Sequence, residues 1–274
     1  MSLLKNFIPP ILIKHLNRTR EYKSYGEAYK KASKDAYENK MLCEIVAKKT
    51  NSHIKQLNTK PLQLNAINVF LLSAIQNYFC QTSKKEIHIV DFGGACGVHY
   101  FEINRFFSKD YIIKWTVIET TEMVEAAKKN IVGYDGLSFK NKIEDMTDSV
   151  DILYSSGALL YTHKPYEFLD KLINVKANWI LFNRMMFNAK DRDIYTLQKS
   201  TLSSNGPGLL PEGYADAEIK YPHTTLSLPK FKNRLTANYN MEWVFEEKTG
   251  VHQINTEDII GMGMLFKKRT LNDF

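Results

Sequence analysis

From Glu86 onward, short apolar runs alternate with segments of helical periodicity. Residues 87–92 form a nearly continuous apolar run that ends in glycines, which is typical of a buried parallel strand. Further strands are predicted at residues 112–118, 137–139, 150–154 and 179–182, and helices at residues 98–107, 121–130 and 165–173. Strand alternating with helix predicts a doubly wound α/β domain with a parallel sheet and helices on both faces.

The chain on either side of this alternation carries other patterns. Apolar residues at helical spacing, such as Leu64, Ile67, Leu71 and Tyr78, predict an N-terminal helical extension, residues 1–85, packed on a main domain of residues 86–274. Residues 187–223 lose periodicity and gather glycine and proline, so we predict a long loop that acts as a lid. A helix at residues 228–239 and strands at residues 243–246 and 262–267 close the chain.

Composition places the chain among ordinary globular proteins. Its 274 residues are 44% hydrophobic, enough to bury a core, and no apolar stretch is long enough to span a bilayer. An apolar run at residues 7–13 is broken by Pro9 and Pro10 and lacks a small-residue cleavage site, so we predict no signal peptide and expect a cytoplasmic protein. Residues 3–13, flanked by basic side chains, either pack against the main domain or rest weakly on an anionic membrane.

Charge and cysteine content exclude several classes of site. The net charge of +7 is spread along the chain rather than concentrated in one block, so no nucleic-acid partner is expected. Cys43, Cys80 and Cys96 have neither a CxxC spacing nor a Cys/His spacing. The sequence therefore predicts neither a disulfide framework nor a metal site.

The richest local motif follows the first predicted strand and reads Asp91-Phe92-Gly93-Gly94-Ala95-Cys96-Gly97. Ligands of open α/β sheets bind at the carboxyl ends of the strands, and the small residues at positions 93, 95 and 97 let the backbone approach a ligand closely. No register of the loop supplies the G-x-G-x-x-G fingerprint of dinucleotide sites, and no Gly-Lys-Ser/Thr follows. The motif indicates a nucleotide-like ligand of another class.

Asp91-x-Gly93-x-Ala95-x-Gly97 resembles the first motif of class I S-adenosylmethionine-dependent methyltransferases, with Ala95 in place of the usual middle glycine. The resemblance implies a Rossmann-like, mostly parallel seven-stranded sheet with an antiparallel terminal strand, and S-adenosylmethionine as cofactor. Glu119, at the end of the second predicted strand, would accept hydrogen bonds from the two ribose hydroxyls. The implied cofactor-binding residues are Asp91, Gly93, Gly94, Ala95, Gly97, Glu119, Ser155 and Ser156.

Most of the chain is also similar to a family of bacterial methyltransferases associated with surface-polysaccharide gene clusters. The residues that carry this likeness are Ser24-Tyr25-Gly26-Glu27-Ala28, Ser156-Gly157-Ala158-Leu159-Leu160-Tyr161, Asn183-Arg184, Tyr195-Thr196-Leu197-Gln198, Tyr221-Pro222 and Leu226-Ser227-Leu228. The likeness implies a small polar acceptor, such as a sugar or a sugar-nucleotide-derived group.

Methyl transfer from a sulfonium needs mainly in-line positioning of the acceptor, and a general base helps when the acceptor is a hydroxyl. The candidate bases are Tyr161, His163 and His223. The candidate acceptor-binding residues are Arg184, Gln198 and Tyr221. Fold alone does not define a reaction, so two alternatives with the same fold stay open. One is an aminopropyltransferase-like enzyme, and the other is a binding or scaffold protein without catalysis.

Overall fold

The computed structural model describes residues 19–59, 61, 64–247 and 253–270. The apolar segment at residues 3–13 lies outside these ranges. The helices are α1 (Tyr25–Tyr29), α2 (Lys40–Leu57), α3 (Ala66–Thr82), α4 (Val98–Asn104), α5 (Thr121–Asn130), α6 (Pro165–Asn174) and α7 (Leu228–Thr236), with short 3-10 turns at Ala36–Glu38, Ile143–Asp145, Ala158–Tyr161 and Leu202–Ser204. Within these ranges, no helix is both long and apolar enough to cross a membrane.

The strands are β1 (Glu86–Phe92), β2 (Ile112–Ile118), β3 (Leu137–Lys140), β4 (Ile152–Ser156), β5 (Trp179–Asn188), β6 (Ile194–Thr201), β7 (Glu218–Ser227), β8 (Tyr239–Glu247), β9 (Gln253–Ile254) and β10 (Glu257–Lys268). The ten described strands form one sheet, in which β7 pairs with β5 and β6, and β9 pairs with β10. The main path through the sheet has the order β3-β2-β1-β4-β5-β10-β8. The first five are mutually parallel, and β10 runs antiparallel to both of its neighbours. The predicted Rossmann-like sheet is confirmed.

Two buried clusters cover the two faces of this sheet. Ile87 and Ile89 of β1 belong to the cluster that contains apolar side chains of α2 to α5. Val90 and Phe92 belong to the cluster that contains side chains of α6 and α7. Alternate side chains of a strand point to opposite faces, so one apolar run supplies both cores. The N-terminal helices α2 and α3 pack on α4, and α2 also packs on α5.

The prediction of a long loop at residues 187–223 is wrong. Strand β5 continues to Asn188, and β6 pairs antiparallel with β7 from Ile194↔Thr225 to Thr201↔Glu218. Within this range the irregular parts are the short turn at residues 189–193 and the connection between β6 and β7, residues 202–217, which contains one 3-10 turn. Glycine and proline are concentrated in that connection, whereas the flanking strands are rich in β-branched and aromatic residues.

Some element ends also differ from prediction. Leu64 was expected on the apolar stripe of α3, but the helix begins at Ala66 after the N-cap Asn65, and Leu64 is 38% exposed. The predicted helix at residues 98–107 ends at Asn104. The helix predicted to reach Tyr239 ends at Thr236, because Tyr239 begins β8 and is buried.

The connection between β6 and β7 is fastened to α2 by a buried lysine. Lys49 is 1% exposed, and its ammonium donates hydrogen bonds to the carbonyl oxygens of Ser203 and Asn205, each at 2.6 Å. Burial lowers the pKa of Lys49. Because a buried ammonium depends on such partners, its two charge-assisted bonds hold the connection against the helix.

We expect Lys49→Met to lower the free energy of unfolding by about 1–3 kcal/mol, because two carbonyl groups lose their charged donor. Lys55→Met provides the control, since Lys55 is an exposed lysine in the last turn of the same helix. Urea unfolding of both variants measures the difference. Equal losses in the two variants would show that the Lys49 clamp contributes nothing specific.

Candidate functional site

The carboxyl ends of β1 and β2 bring a glycine-rich loop and an acid into contact. Residues 93–97 connect β1 to α4, and Glu119 follows β2 directly. One carboxylate oxygen of Glu119 accepts a hydrogen bond from the Ala95 amide at 3.1 Å, and the other accepts one from the Thr120 amide at 2.9 Å. Burial raises the pKa of Glu119, and these two amides oppose the rise. The two motifs found separately in the sequence therefore form one site.

Asp91 lies beneath this loop and is completely buried. Its Oδ2 is 3.1 Å from Nδ1 of His99 and accepts a bond from Nε1 of Trp115 at 3.3 Å. Burial by itself disfavours the His99 cation, but the Asp91 carboxylate outweighs it, and the pKa of His99 is raised. Within the described part of the chain, Oδ1 of Asp91 has no hydrogen-bond partner. An acceptor oxygen thus remains available at the base of the loop.

Three positions in the loop carry small residues, and the geometry of each position is different. Gly93 has φ +77°, and a Cβ atom added there would lie 2.1 Å from Cβ of Ala158. A Cβ atom on Gly94 would lie 2.3 Å from the Asp91 carboxylate. Ala95, which replaces the usual glycine, itself adopts a left-handed conformation with φ +49°. The alanine therefore takes its place in the loop at the strain cost of one left-handed residue.

The carboxyl end of β4 lies next to β1 and contributes Ser155 and Ser156. Ser155 pairs with Phe92 of β1 in the strand register. The Ser155 hydroxyl is buried and has no partner among the described residues, while Ser156 lies by the phenol of Tyr154. The chain then turns at Gly157, which has φ +74°, and the amide of Gly157 donates to the Asn183 carbonyl at 2.9 Å.

Beyond this turn, four of the predicted acceptor-side residues come together. Tyr161 donates a hydrogen bond from its hydroxyl to Oε1 of Gln198 on β6. The Tyr161 ring lies 5.2 Å from the His223 ring and 6.2 Å from the Tyr221 ring, both on β7. Tyr37, which the sequence analysis missed, stacks on Tyr221 at 4.0 Å and contacts Tyr161 at 5.2 Å. We call Tyr37, Tyr161 and Tyr221 the tyrosine wall.

The three candidate bases occupy different environments. His223 is buried beside Tyr161, and desolvation lowers its pKa to about 4, so its ring is neutral at pH 7. Burial raises the pKa of Tyr161. His163 is exposed and rests against the ring of Tyr25 at 5.2 Å instead of joining the tyrosine wall. The structure therefore brings together Tyr161 and His223 but leaves His163 outside.

Arg184 follows Asn183, which pairs with Ser156 in the register of β5 with β4. Its φ is +55°, an unusual value for a residue with a side chain, and it sits at an irregularity in the pairing of β5 with β10. A Cβ atom on Gly157 would lie 3.5 Å from Cβ of Arg184. The side chain of Arg184 therefore starts next to the turn at Gly157, which lies between the glycine-rich loop and the tyrosine wall.

The residues missed by sequence reasoning share one property, which is that only tertiary contacts place them at the site. Tyr37 comes from the N-terminal extension, and His99 is read from sequence as one more position of α4. Asn183 is part of the family likeness, but the sequence does not show that its side-chain amide donates a hydrogen bond to the Tyr154 hydroxyl at 3.4 Å. Among the described residues, no group of three or more His, Cys, Asp or Glu side chains could hold a metal ion.

No model of a known protein family matches the chain, and no curated protein matches it. Solved structures do resemble it. An S-adenosylmethionine-dependent methyltransferase from Clostridium acetobutylicum is 10% identical, with a TM-score of 0.48, over 76% of this chain and 94% of that one. An amino pentose methyltransferase from Micromonospora echinaspora, bound to S-adenosylmethionine and involved in calicheamicin biosynthesis, is 8% identical, with a TM-score of 0.43, over 75% and 98%. Magnesium protoporphyrin IX methyltransferase from Synechocystis is 9% identical, with a TM-score of 0.41, over 78% and 94%.

Proposed function

We propose that this protein is a class I methyltransferase that uses S-adenosylmethionine. One observation carries the proposal: Glu119 at the end of β2 contacts the glycine-rich loop that follows β1. The glycine-rich loop follows β1, and the strand order changes direction between β1 and its other neighbour, β4. Open α/β sheets bind their ligands at that point. A carboxylate beside a close-packed backbone loop suits a ligand that has both a ribose and a charged group.

The residues present fit this cofactor. Glu119 would accept hydrogen bonds from the two ribose hydroxyls, and the backbone of Gly93, Gly94, Ala95 and Gly97 would line the adjoining part of the ligand. Asp91 and Ser155 each contain a buried oxygen without a partner among the described residues, and Ser156 lies beside them. Buried polar atoms of this kind are usually satisfied in the functional state. The bound cofactor would supply an electrophilic methyl group on a sulfonium.

The acceptor in this proposal is a small polar molecule, such as a sugar or a sugar-nucleotide-derived group used in surface-polysaccharide biosynthesis. The tyrosine wall, Gln198 and Arg184 would hold it beside the end of β4. His223, neutral at pH 7 because burial lowers its pKa to about 4, can accept a hydrogen bond from an acceptor hydroxyl. The main task of these side chains is to orient the acceptor and exclude water.

Thermal unfolding with and without ligands tests the cofactor assignment. S-adenosylhomocysteine at about a hundredfold excess over its dissociation constant adds roughly 2.7 kcal/mol to the unfolding free energy. We therefore expect Tm to rise by about 5 °C or more. NAD, which also carries an adenosine and a ribose diol, serves as the control and should give no comparable shift. If neither S-adenosylhomocysteine nor S-adenosylmethionine raises Tm at millimolar concentration, the proposed function is wrong.

A further inference from the structure

Arg184 has a left-handed backbone conformation, although nothing in the fold requires an arginine at this position. With φ at +55°, an L residue is strained, whereas glycine would adopt the same conformation freely. The side chain is exposed, so it gains little from burial. Strained residues with side chains are concentrated at functional sites, because the side chain is needed there. This placement points to a role for the guanidinium itself.

The Arg184 guanidinium has no carboxylate partner among the residues that the structure describes. By contrast, Arg192, four residues beyond β5, lies within 2.5 Å of both Glu21 and Glu257. The acid that interacts with Arg184 is Glu247, and its carboxyl group accepts a hydrogen bond from the backbone amide of Arg184. Burial raises the pKa of Glu247, and the amide and the charge of Arg184 both oppose the rise.

The charge of Arg184 shifts the pKa values of groups on both sides of the turn at Gly157. Burial raises the pKa values of Tyr37 and Tyr161 in the tyrosine wall, and the Arg184 charge opposes both rises. The same charge opposes the rise in the pKa of Tyr154 that burial causes, next to Ser156. The Arg184 charge also acts to lower the pKa of His99, whose hydrogen-bond partner is Asp91. Apart from Glu247, the groups whose pKa values the Arg184 charge shifts are phenols and the His99 ring, and none of these carries a negative charge that would pair with the guanidinium.

The tyrosine wall has its own hydrogen bonds. The Tyr161 hydroxyl donates to Gln198, and the Tyr221 hydroxyl donates to Oδ1 of Asn205 at 3.1 Å. These bonds hold two of the rings in place. A fixed aromatic surface beside an unpaired guanidinium suits a molecule with a flat or ring-shaped body and a negatively charged oxygen group.

We propose that Arg184 binds an anionic group, a carboxylate or a phosphate, on the methyl acceptor, whose body lies against the tyrosine wall. This inference rests on the proposed function, because it takes the wall to be the acceptor side of a methyltransferase. The planar guanidinium would pair with two oxygens of that group. The acceptor is thereby restricted to acidic molecules, such as sugar acids or sugar phosphates.

The test measures how the protein saturated with S-adenosylhomocysteine binds three probes: glucuronate, glucose 1-phosphate and glucose. The variants are Arg184→Gln, which removes the charge, and Arg105→Gln as the matched control. Arg105 is exposed and lies just after the last residue of α4, whereas the glycine-rich loop precedes the first. Both variants lose one positive charge, so a general electrostatic effect would change them equally.

We expect wild-type protein to bind glucuronate or glucose 1-phosphate at least about tenfold more tightly than glucose, since a charge-assisted pair contributes that much or more. Arg184→Gln should abolish the preference, and Arg105→Gln should retain it. Which acid binds better distinguishes a carboxylate from a phosphate. If glucose binds as well as both acids, or if Arg184→Gln keeps the preference, the inference is wrong.

Two further readouts separate this inference from other roles of Arg184. In Arg184→Gly we expect a Tm no lower than that of wild type, because glycine relieves the left-handed strain, together with loss of the preference for acids. A clear fall in Tm would make the side chain structural and overturn the inference. Affinity for S-adenosylhomocysteine should change little in Arg184→Gln. If the variant loses it, Arg184 serves the cofactor, and if wild type does not bind it, the proposed function itself fails.

Discussion

Glu119→Ala is expected to weaken S-adenosylhomocysteine binding by about thirtyfold to a thousandfold, which corresponds to roughly 2–4 kcal/mol. Two ribose hydroxyls lose their charged acceptor in the proposed complex. The substitution also removes the acceptor for the amides of Ala95 and Thr120, so the glycine-rich loop loses a tether before any ligand binds. Isothermal titration calorimetry measures the affinity directly.

Two companion variants isolate the role of the Glu119 carboxylate. Glu125→Ala removes an exposed acid from α5, the helix that follows Glu119, and should leave the affinity unchanged. Glu119→Gln keeps an oxygen for the Ala95 amide and should lose less affinity than Glu119→Ala, since only the charge is removed. Unchanged affinity in a folded Glu119→Ala protein would mean that this acid only supports the loop.

The strands that build the cofactor side are predictable from sequence because their signals are local. The central parallel strands β1, β4 and β5 are largely buried on both faces and therefore appear as apolar runs. The bounds predicted for β2 and α5 match the structure. Asp91 and Glu119 are found for the same reason, since each lies at or just beyond the end of such a run. Backbone geometry then places both at one edge of the sheet.

The acceptor side could not be predicted to the same extent, because it depends on pairing between distant segments. β6 and β7 are each marked by β-formers, but the glycines and prolines between them, and Pro222 within β7, favour a loop when read locally. Their pairing places Gln198 opposite Tyr221. Tyr37 reaches the same place from the N-terminal extension. Neither contact leaves a periodic signal in the sequence.

The strain at Arg184 is also invisible in sequence. An arginine at the end of an apolar strand is ordinary, and only the backbone shows that φ is +55° there. At Ala95 the sequence shows only that an alanine stands in place of the usual glycine, and the structure shows that it adopts the left-handed conformation that glycine would take without strain. Both conformations depend on the backbone around the residue, which the sequence does not show.

The steric fit between the glycine-rich loop and the turn after β4 leads to the second large effect. A Cβ atom on Gly93 would lie 2.1 Å from Cβ of Ala158, and the glycine has φ +77°. Left-handed backbone costs an alanine about 1–2 kcal/mol, and relieving the overlap should cost about 1–3 kcal/mol more. We therefore expect Gly93→Ala to lower the unfolding free energy by about 2–5 kcal/mol.

The collision with Ala158 can be separated from the backbone strain by a double-mutant cycle, because the overlapping atom is itself a single methyl group. Ala158→Gly removes that methyl, so the double variant Gly93→Ala, Ala158→Gly should recover about 1–3 kcal/mol of the loss while the left-handed strain remains. Urea unfolding of the two single variants and the double variant gives the coupling energy. A coupling energy near zero would show that the loop moves aside without contacting Ala158, and the close packing of these two segments would then have no energetic role.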